Sequence, residues 1–131
     1  MKRDMDLIRE LLLRLEVLPV RPGRPLQITP DDETLRVVGY DTTQIEYHLS
    51  LVGEAGFIDD GGVRPWVGTG FLGLTWSGHD FLDSVRDPAI WKATKEGANE
   101  AGGFSVDLLR ALAKGLIKKQ IEKHTGISLD F

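Results

Sequence analysis

Apolar residues recur at helical spacing along five stretches of the chain. In the first stretch, leucine or isoleucine returns every three or four positions with charged residues between, at Leu7, Ile8, Leu11, Leu12 and Leu15. This spacing is typical of amphipathic helices. The pattern predicts helices over residues 3–17, 42–55, 77–87, 88–100 and 106–124. The apolar face of the first helix is so wide that more than one neighbouring element is needed to bury it. A partner subunit is one candidate for such a neighbour.

The starts of the later helices carry capping signals. Thr75 or Ser77 caps the third helix, and Ser77 with Asp80 three residues on is close to a capping box. Asp87 followed by Pro88 combines an N-cap acceptor with proline at the first helical position. Ser105 precedes the last helix as its N-cap. These signals support the predicted starts of all three C-terminal helices.

Short stretches between the helices predict strands. A strand begins at residues 57–58, and the alternating stretch FLGLTW, residues 71–76, returns as its partner. Between them, DDGGVRPWVGTG, residues 59–70, is rich in glycine and predicts a loop or a loose hairpin tip. LQI at 26–28 is a third short strand. Residues 29–40 stay open, because TPDDE resembles a helix start while LRVV reads equally well as a strand.

Composition places the chain among single-domain globular proteins. It has 131 residues, 41% hydrophobic and 27% charged, and no cysteine for a disulfide or a thiolate zinc site. No apolar run approaches the roughly 18 residues of a membrane span. The N-terminal stretch is interrupted by acids and lacks the apolar core of a signal peptide. We therefore expect a cytoplasmic protein that does not bind a membrane.

Charge is distributed unevenly around a net value of −4. Residues 1–25 hold six cations and four acids, whereas residues 26–66 hold two cations and eight acids. The predicted helix over residues 42–55 lies in this acidic part and contains no Arg or Lys. Because cations supply most non-specific affinity for nucleic acid, this distribution argues mildly against DNA as a partner.

No set of residues in the sequence demands catalysis. The chain lacks a nucleophile elbow, a phosphate-binding loop and any cysteine nucleophile. Its histidines, His48, His79 and His124, lie far apart and have no metal-ligand spacing. We expect a protein that is not an enzyme and that holds no metal or cofactor. His48 is expected to be a packed histidine that bonds a backbone carbonyl.

Two stretches resemble the winged helix-turn-helix domain of DNA-binding regulators. TTQIEYHLSLVGEAGFI resembles the recognition helix and first wing strand, and LTWSGHDFL resembles the second wing strand and the helix after it. The resemblance covers residues 1–86 and implies an α+β fold, with residues 87–131 as a C-terminal helical extension that packs on this domain or on a partner subunit. One departure is that the helix before the recognition helix is weakly formed in this sequence.

The whole chain is similar to domain-of-unknown-function family 2513, found in bacteria and their phages. The matching stretches are MKRDMDLIRELLL, GYDTTQIEYHLSLVGEAGFI, LTWSGHDFLDSVRDPAIWKATKE and GGFSVDLLRALAKGLIKKQI. The resemblance implies a phage or prophage context and a winged-helix core. It implies no particular activity.

Two functional hypotheses follow. In the leading one, the chain is a phage-type regulator that binds duplex DNA as a homodimer. The helix over residues 42–55 would present polar side chains to the duplex, with three cations as phosphate anchors. The residues assigned to this role are Thr42, Thr43, Gln44, Tyr47, Lys2, Arg3 and Arg64.

The alternative hypothesis is a winged-helix module that binds a protein and no DNA. Trp66, in the glycine-rich loop beside Arg64, is the candidate anchor, since Trp and Arg dominate interface hot spots. The competing interpretation has Trp66 folded back onto its own domain. Trp76 and Trp91 are expected in the core that joins the wing to the C-terminal helices. Three interpretations of the final helix stay open: it packs on its own domain, on a symmetry mate or on a membrane. Its lack of bulky aromatic residues argues against the membrane.

Overall fold

The computed structural model describes residues 1–128 as an α+β protein, the class that the sequence predicts. The helices are α1 (Met5–Glu16), α2 (Thr42–Glu54), α3 (Trp76–Val85), α4 (Pro88–Ala101) and α5 (Val106–Thr125). The strands are β1 (Leu26–Ile28), β2 (Ile58–Asp59), β3 (Thr69–Phe71) and β4 (Gly73–Leu74), and a 3₁₀-helix spans Glu33–Leu35. Two compact units divide the chain at α3, Met1–Asp80 and Phe81–Phe131.

The core of the first unit forms around helix α1. Asp4 caps this helix, since its carboxylate accepts hydrogen bonds from the amides of Asp6 and Leu7. The buried face of α1 packs against the 3₁₀-helix, α2 and β4. Its buried apolar residues are those of the predicted stripe together with Met5. The wide apolar face therefore finds its several neighbours within one chain.

The strands form two short antiparallel pairs. β1 pairs with β3, with Leu26 opposite Phe71, and β2 pairs with β4, with Ile58 opposite Leu74. β3 and β4 are separated at Leu72, whose amide still donates to the carbonyl of Asp59 at 2.7 Å. Gly73 follows with φ of 145°, a conformation that a side chain rarely adopts. The prediction of one continuous strand over residues 71–76 is therefore wrong.

Trp76 corrects a second prediction. Its side chain is 84% exposed, so it does not belong to the core. The cause is the start of α3: the Thr75 hydroxyl accepts a hydrogen bond from the amide of Gly78 at 3.1 Å and caps the helix there. The alternation of the strand ends at this cap, and Trp76 becomes the first residue of a helix. Trp91, by contrast, is buried.

Residues 29–40 form neither of the two expected elements. The Asp32 carboxylate accepts from the amide of Thr34 at 3.0 Å and starts a single 3₁₀-turn. Leu35 and Val37 are buried, so the turn is anchored by two apolar side chains, not by regular structure. Gly39, with φ of 92°, then redirects the chain toward α2.

The second unit contains the packed pair α4 and α5. The spacing predicts a face of α4 with Ile90, Trp91, Thr94 and Ala98, and the last three of these are buried. Helix α5 is less covered. Of the long apolar stripe in its sequence, only Leu109 and Ala113 are buried.

Candidate interaction face around helix α2

Helix α2 begins with a complete capping box. The amide of Gln44 donates to the Asp41 carboxylate at 2.8 Å, and the Asp41 amide donates to the Gln44 side-chain oxygen at 2.9 Å. Gln44 is therefore engaged in holding the helix start. Reading an adenine edge with this amide would require the capping box to open, which weakens its assignment as a base-contacting residue.

The solvent face of α2 carries the other predicted contact residues. Thr42, Thr43 and Tyr47 are exposed along this face, together with Glu46. The opposite face is buried through Ile45, His48, Leu49 and Val52. Three of these, Ile45, Leu49 and Val52, are the apolar residues whose helical spacing predicts this helix. The exposed face is polar, and the only charged residue between Thr42 and Tyr47 is the acid Glu46.

His48 has the structural role that the sequence predicts. Its Nδ1 lies 2.7 Å from the carbonyl oxygen of Gln44, and its Nε2 accepts from the amide of Asp4 at 2.8 Å. A nitrogen facing a carbonyl must carry the proton, and a nitrogen facing an amide must not. The ring is therefore assigned as neutral, with its proton on Nδ1.

A second bond ties the same point of α1 to the segment before α2. The Tyr40 hydroxyl donates to the Asp4 carboxylate at 2.7 Å. The N-cap of α1 is thus held from one side by His48 and from the other by Tyr40. Lys2 and Arg3 directly precede this cap and are exposed, so both predicted cations lie within two residues of the bond that joins Asp4 to α2. The sequence carries no signal for this network, because its members lie 36 and 44 positions apart.

The titration of Tyr40 tests this network. Burial, followed by the hydrogen bond and the negative charge of Asp4, raises the pKa of Tyr40 from 10.0 to about 12. The folded state then holds this proton more tightly than the unfolded chain, so the stabilisation is complete below pH 10.0 and is lost as the pH rises to about 12. We expect the stability difference between wild type and Tyr40→Phe to shrink over this range. Urea unfolding at several pH values measures it, and a constant difference would contradict the bond to Asp4.

A groove of about 760 Å³ separates the C-terminal half of α2 from the loop that follows β2. Four carboxylate residues line it, Glu46 and Glu54 from α2 with Asp59 and Asp60 from the β2 end. Arg64 is the only cation among the residues of this lining that the structure describes. The predicted phosphate anchor in the loop therefore faces a mainly acidic cavity.

A second cavity of about 390 Å³ flanks the N-terminal end of α2. It is lined by Tyr40, Thr42 and Ile45 and by the acids Asp31, Asp32, Glu33 and Asp41, with Arg36 as the cation of the described lining. Acidic residues therefore border α2 both at its N-terminal end and along its C-terminal half. These acids lie close to α2 in the sequence, and folding gathers them into an acidic surface along the helix.

The loop over residues 60–68 is held at both ends. The carboxylates of Asp59 and Asp60 accept from the amides of Gly61 and Gly62, each at 2.8 Å. At the far end, the Gln27 side chain donates to the carbonyl of Val67 at 3.0 Å. Trp66 lies between these ends.

Trp66 has a relative accessibility of 104%, which means that its side chain is fully exposed. It does not fold back onto the part of the chain that the structure describes.

No described residues form a metal site. Within residues 1–128 no cluster of three His, Asp or Glu side chains is placed to hold an ion. In the same range every buried side-chain nitrogen and oxygen has a hydrogen-bond partner. No helix there is both long and apolar enough to cross a membrane.

Comparison with known proteins identifies relatives of this chain. The family described as "Hypothetical protein (DUF2513)" matches residues 2–105. A Haemophilus influenzae protein, whose printed name is "Uncharacterized protein", is 30% identical over 124 residues, covering 92% of this chain and 99% of that protein. No solved structure matches the chain.

Proposed function

We propose a function for this chain, which belongs to the DUF2513 family, from the charge around helix α2. The chain is a winged-helix interaction module that binds a basic segment of a protein partner on the α2 face. The observation that carries this proposal is the groove between α2 and the loop after β2, which four carboxylate residues line against one arginine.

The order of elements supports the winged-helix interpretation. Helix α1, strand β1, the 3₁₀-helix, α2, β2, a loop and the β3–β4 segment follow one another as in such domains. β1 pairs with β3, and β2 pairs with β4, so the segment after the loop lies between the other two strands. In this interpretation α2 is the recognition helix and residues 60–68 form the wing. The single 3₁₀-turn takes the place of the missing second helix.

Electrostatics favours a basic protein segment over duplex DNA. A helix that reads DNA lies close to phosphate, and here the cavities at the N-terminal end of α2 and along its C-terminal half are both mainly acidic. The helix also has no Arg or Lys for the commonest contact to guanine. The same carboxylates attract lysine and arginine side chains, and complementary charge both speeds association and selects the partner.

Duplex DNA is the second candidate, favoured by one specific observation. Lys2 and Arg3 directly precede Asp4, whose amide bonds His48 of α2, and Thr43 and Tyr47 are exposed on the same helix. In this candidate the chain is a phage-type regulator that binds as a homodimer. Lys2, Arg3 and Arg64 would contact phosphate.

Binding of two labelled probes separates the candidates. We expect a labelled oligolysine peptide to bind and a labelled mixed-sequence duplex not to bind, measured by fluorescence anisotropy at low and physiological salt. Reversing both groove glutamates on α2, in Glu46→Lys with Glu54→Lys, should weaken the peptide by at least about tenfold. The matched control reverses two exposed glutamates of α4, in Glu96→Lys with Glu100→Lys, and should change little.

Duplex binding is the result that would reverse this choice. A log–log salt slope of about −0.9 for each phosphate contact, together with loss of affinity in Tyr47→Ala, would assign the α2 face to DNA. Failure of the peptide to bind wild type at low salt would reject the basic-segment proposal.

A further inference from the structure

The tip of the loop over residues 60–68 exposes an apolar patch. Trp66 is fully exposed, and its neighbours Val63 and Val67 are exposed as well. A tryptophan side chain carries roughly 150–250 Å² of mostly apolar surface, the type most enriched at the centre of protein interfaces. The acids of the groove account for charge recognition and leave this patch without a role.

The loop presents this patch from a fixed base. Gly68 has φ of 77°, and a side chain added there would collide with the carbonyl oxygen of Ile28, so the end of the loop lies directly against β1. The bond from Gln27 to Val67 and the turns at Asp59 and Asp60 hold the rest of the base. A loop ordered before binding loses less conformational entropy when the complex forms.

We infer that Trp66 is an apolar anchor that enters an apolar pocket on the partner, while lysine or arginine residues around that pocket contact the groove acids. This inference rests on the proposed function and adds the chemistry of the partner: a protein surface with an apolar pocket and a basic rim.

The negative charge of the groove favours a protein partner over a lipid membrane or a single-stranded nucleic acid. The loop that carries Trp66 lines the groove through Val63, Arg64 and Pro65, and the acids Asp59 and Asp60 line the same groove. Anionic lipid headgroups and the phosphates of single-stranded nucleic acid would both be repelled at this position. A protein pocket with a cationic rim satisfies the apolar tip and the acidic wall together.

Two peptides with equal numbers of lysines test the anchor. One is oligolysine, and the other is a helical Lys/Leu peptide whose leucines form a stripe. We expect the leucine stripe to increase affinity for wild type by at least about tenfold, the scale of a hot-spot contact. Trp66→Ala should lose this gain while it keeps the affinity for oligolysine. Trp76→Ala, which removes a tryptophan that is also mainly exposed, should retain the gain.

The outcomes separate the anchor from the function on which it rests. If wild type binds neither peptide, the proposed function fails. If wild type binds both peptides equally, or if Trp66→Ala keeps the gain, the anchor is rejected while the acidic groove stands. Equal loss in Trp66→Ala and Trp76→Ala would also reject a single anchor. Unfolding midpoints equal to wild type confirm that the exposed substitutions leave the fold intact.

Discussion

His48→Ala is expected to lower the free energy of unfolding by about 3 kcal/mol, a scale typical of a buried polar side chain that satisfies other groups. The ring is 1% exposed, so its loss leaves a cavity between α1 and α2. The amide of Asp4 loses its acceptor at the same time. Both effects act at the N-terminal cap of α1, the helix around which the core of the first unit forms.

Urea unfolding followed by circular dichroism measures this loss. His79→Ala is the matched control, because His79 is exposed on α3 and its removal should change stability by no more than about 0.5 kcal/mol. An His48→Ala variant as stable as the control would show that the bond between His48 and Asp4 does not support the fold.

Gly78→Ala is expected to destabilise the chain by about 3 kcal/mol, although alanine is normally the better helix former. Gly78 is buried in the first turn of α3, and an added Cβ would collide with the carbonyl of Phe57. That carbonyl already accepts from the amide of Thr75 at 2.9 Å. The methyl group therefore forces apart the junction where the strand pair ends and α3 begins.

Gly115→Ala supplies the opposite result for the same chemical change. Gly115 lies within α5, and nothing stands within 4 Å of the position of its missing Cβ. Alanine there should stabilise the chain by about 0.5–1 kcal/mol. Urea midpoints of the two variants should therefore move in opposite directions, and a stabilised Gly78→Ala variant would contradict the close approach of Phe57.

The helices are predictable because their signals are local. Apolar spacing and capping residues act within a few positions, and the structure confirms all five predicted helices within about two residues of their predicted ends. Trp76 shows where two local signals compete. The alternation of FLGLTW favours a strand up to Trp76, but the hydroxyl of Thr75 starts a helix one residue earlier. The stronger local signal is the cap.

The candidate site is only partly predictable. The acidity of residues 26–66 is visible in the sequence, but the two cavities that gather these acids along α2 exist only after folding. Gln44 is predicted as a free polar contact, and the capping box with Asp41 engages it instead. The links of Asp4 to Tyr40 and His48 join distant segments, which no short-range pattern can report.

The packing of α1 also determines when this chain can begin to fold during synthesis. A helix of 12 residues is marginal in water on its own, and the buried face of α1 rests on elements as far along the chain as β4 at Gly73–Leu74. Until the ribosome has released those residues, the leucines of α1 remain open to solvent and to chaperones. A nascent or truncated chain that ends before Gly73 therefore leaves the wide apolar face of its first helix uncovered.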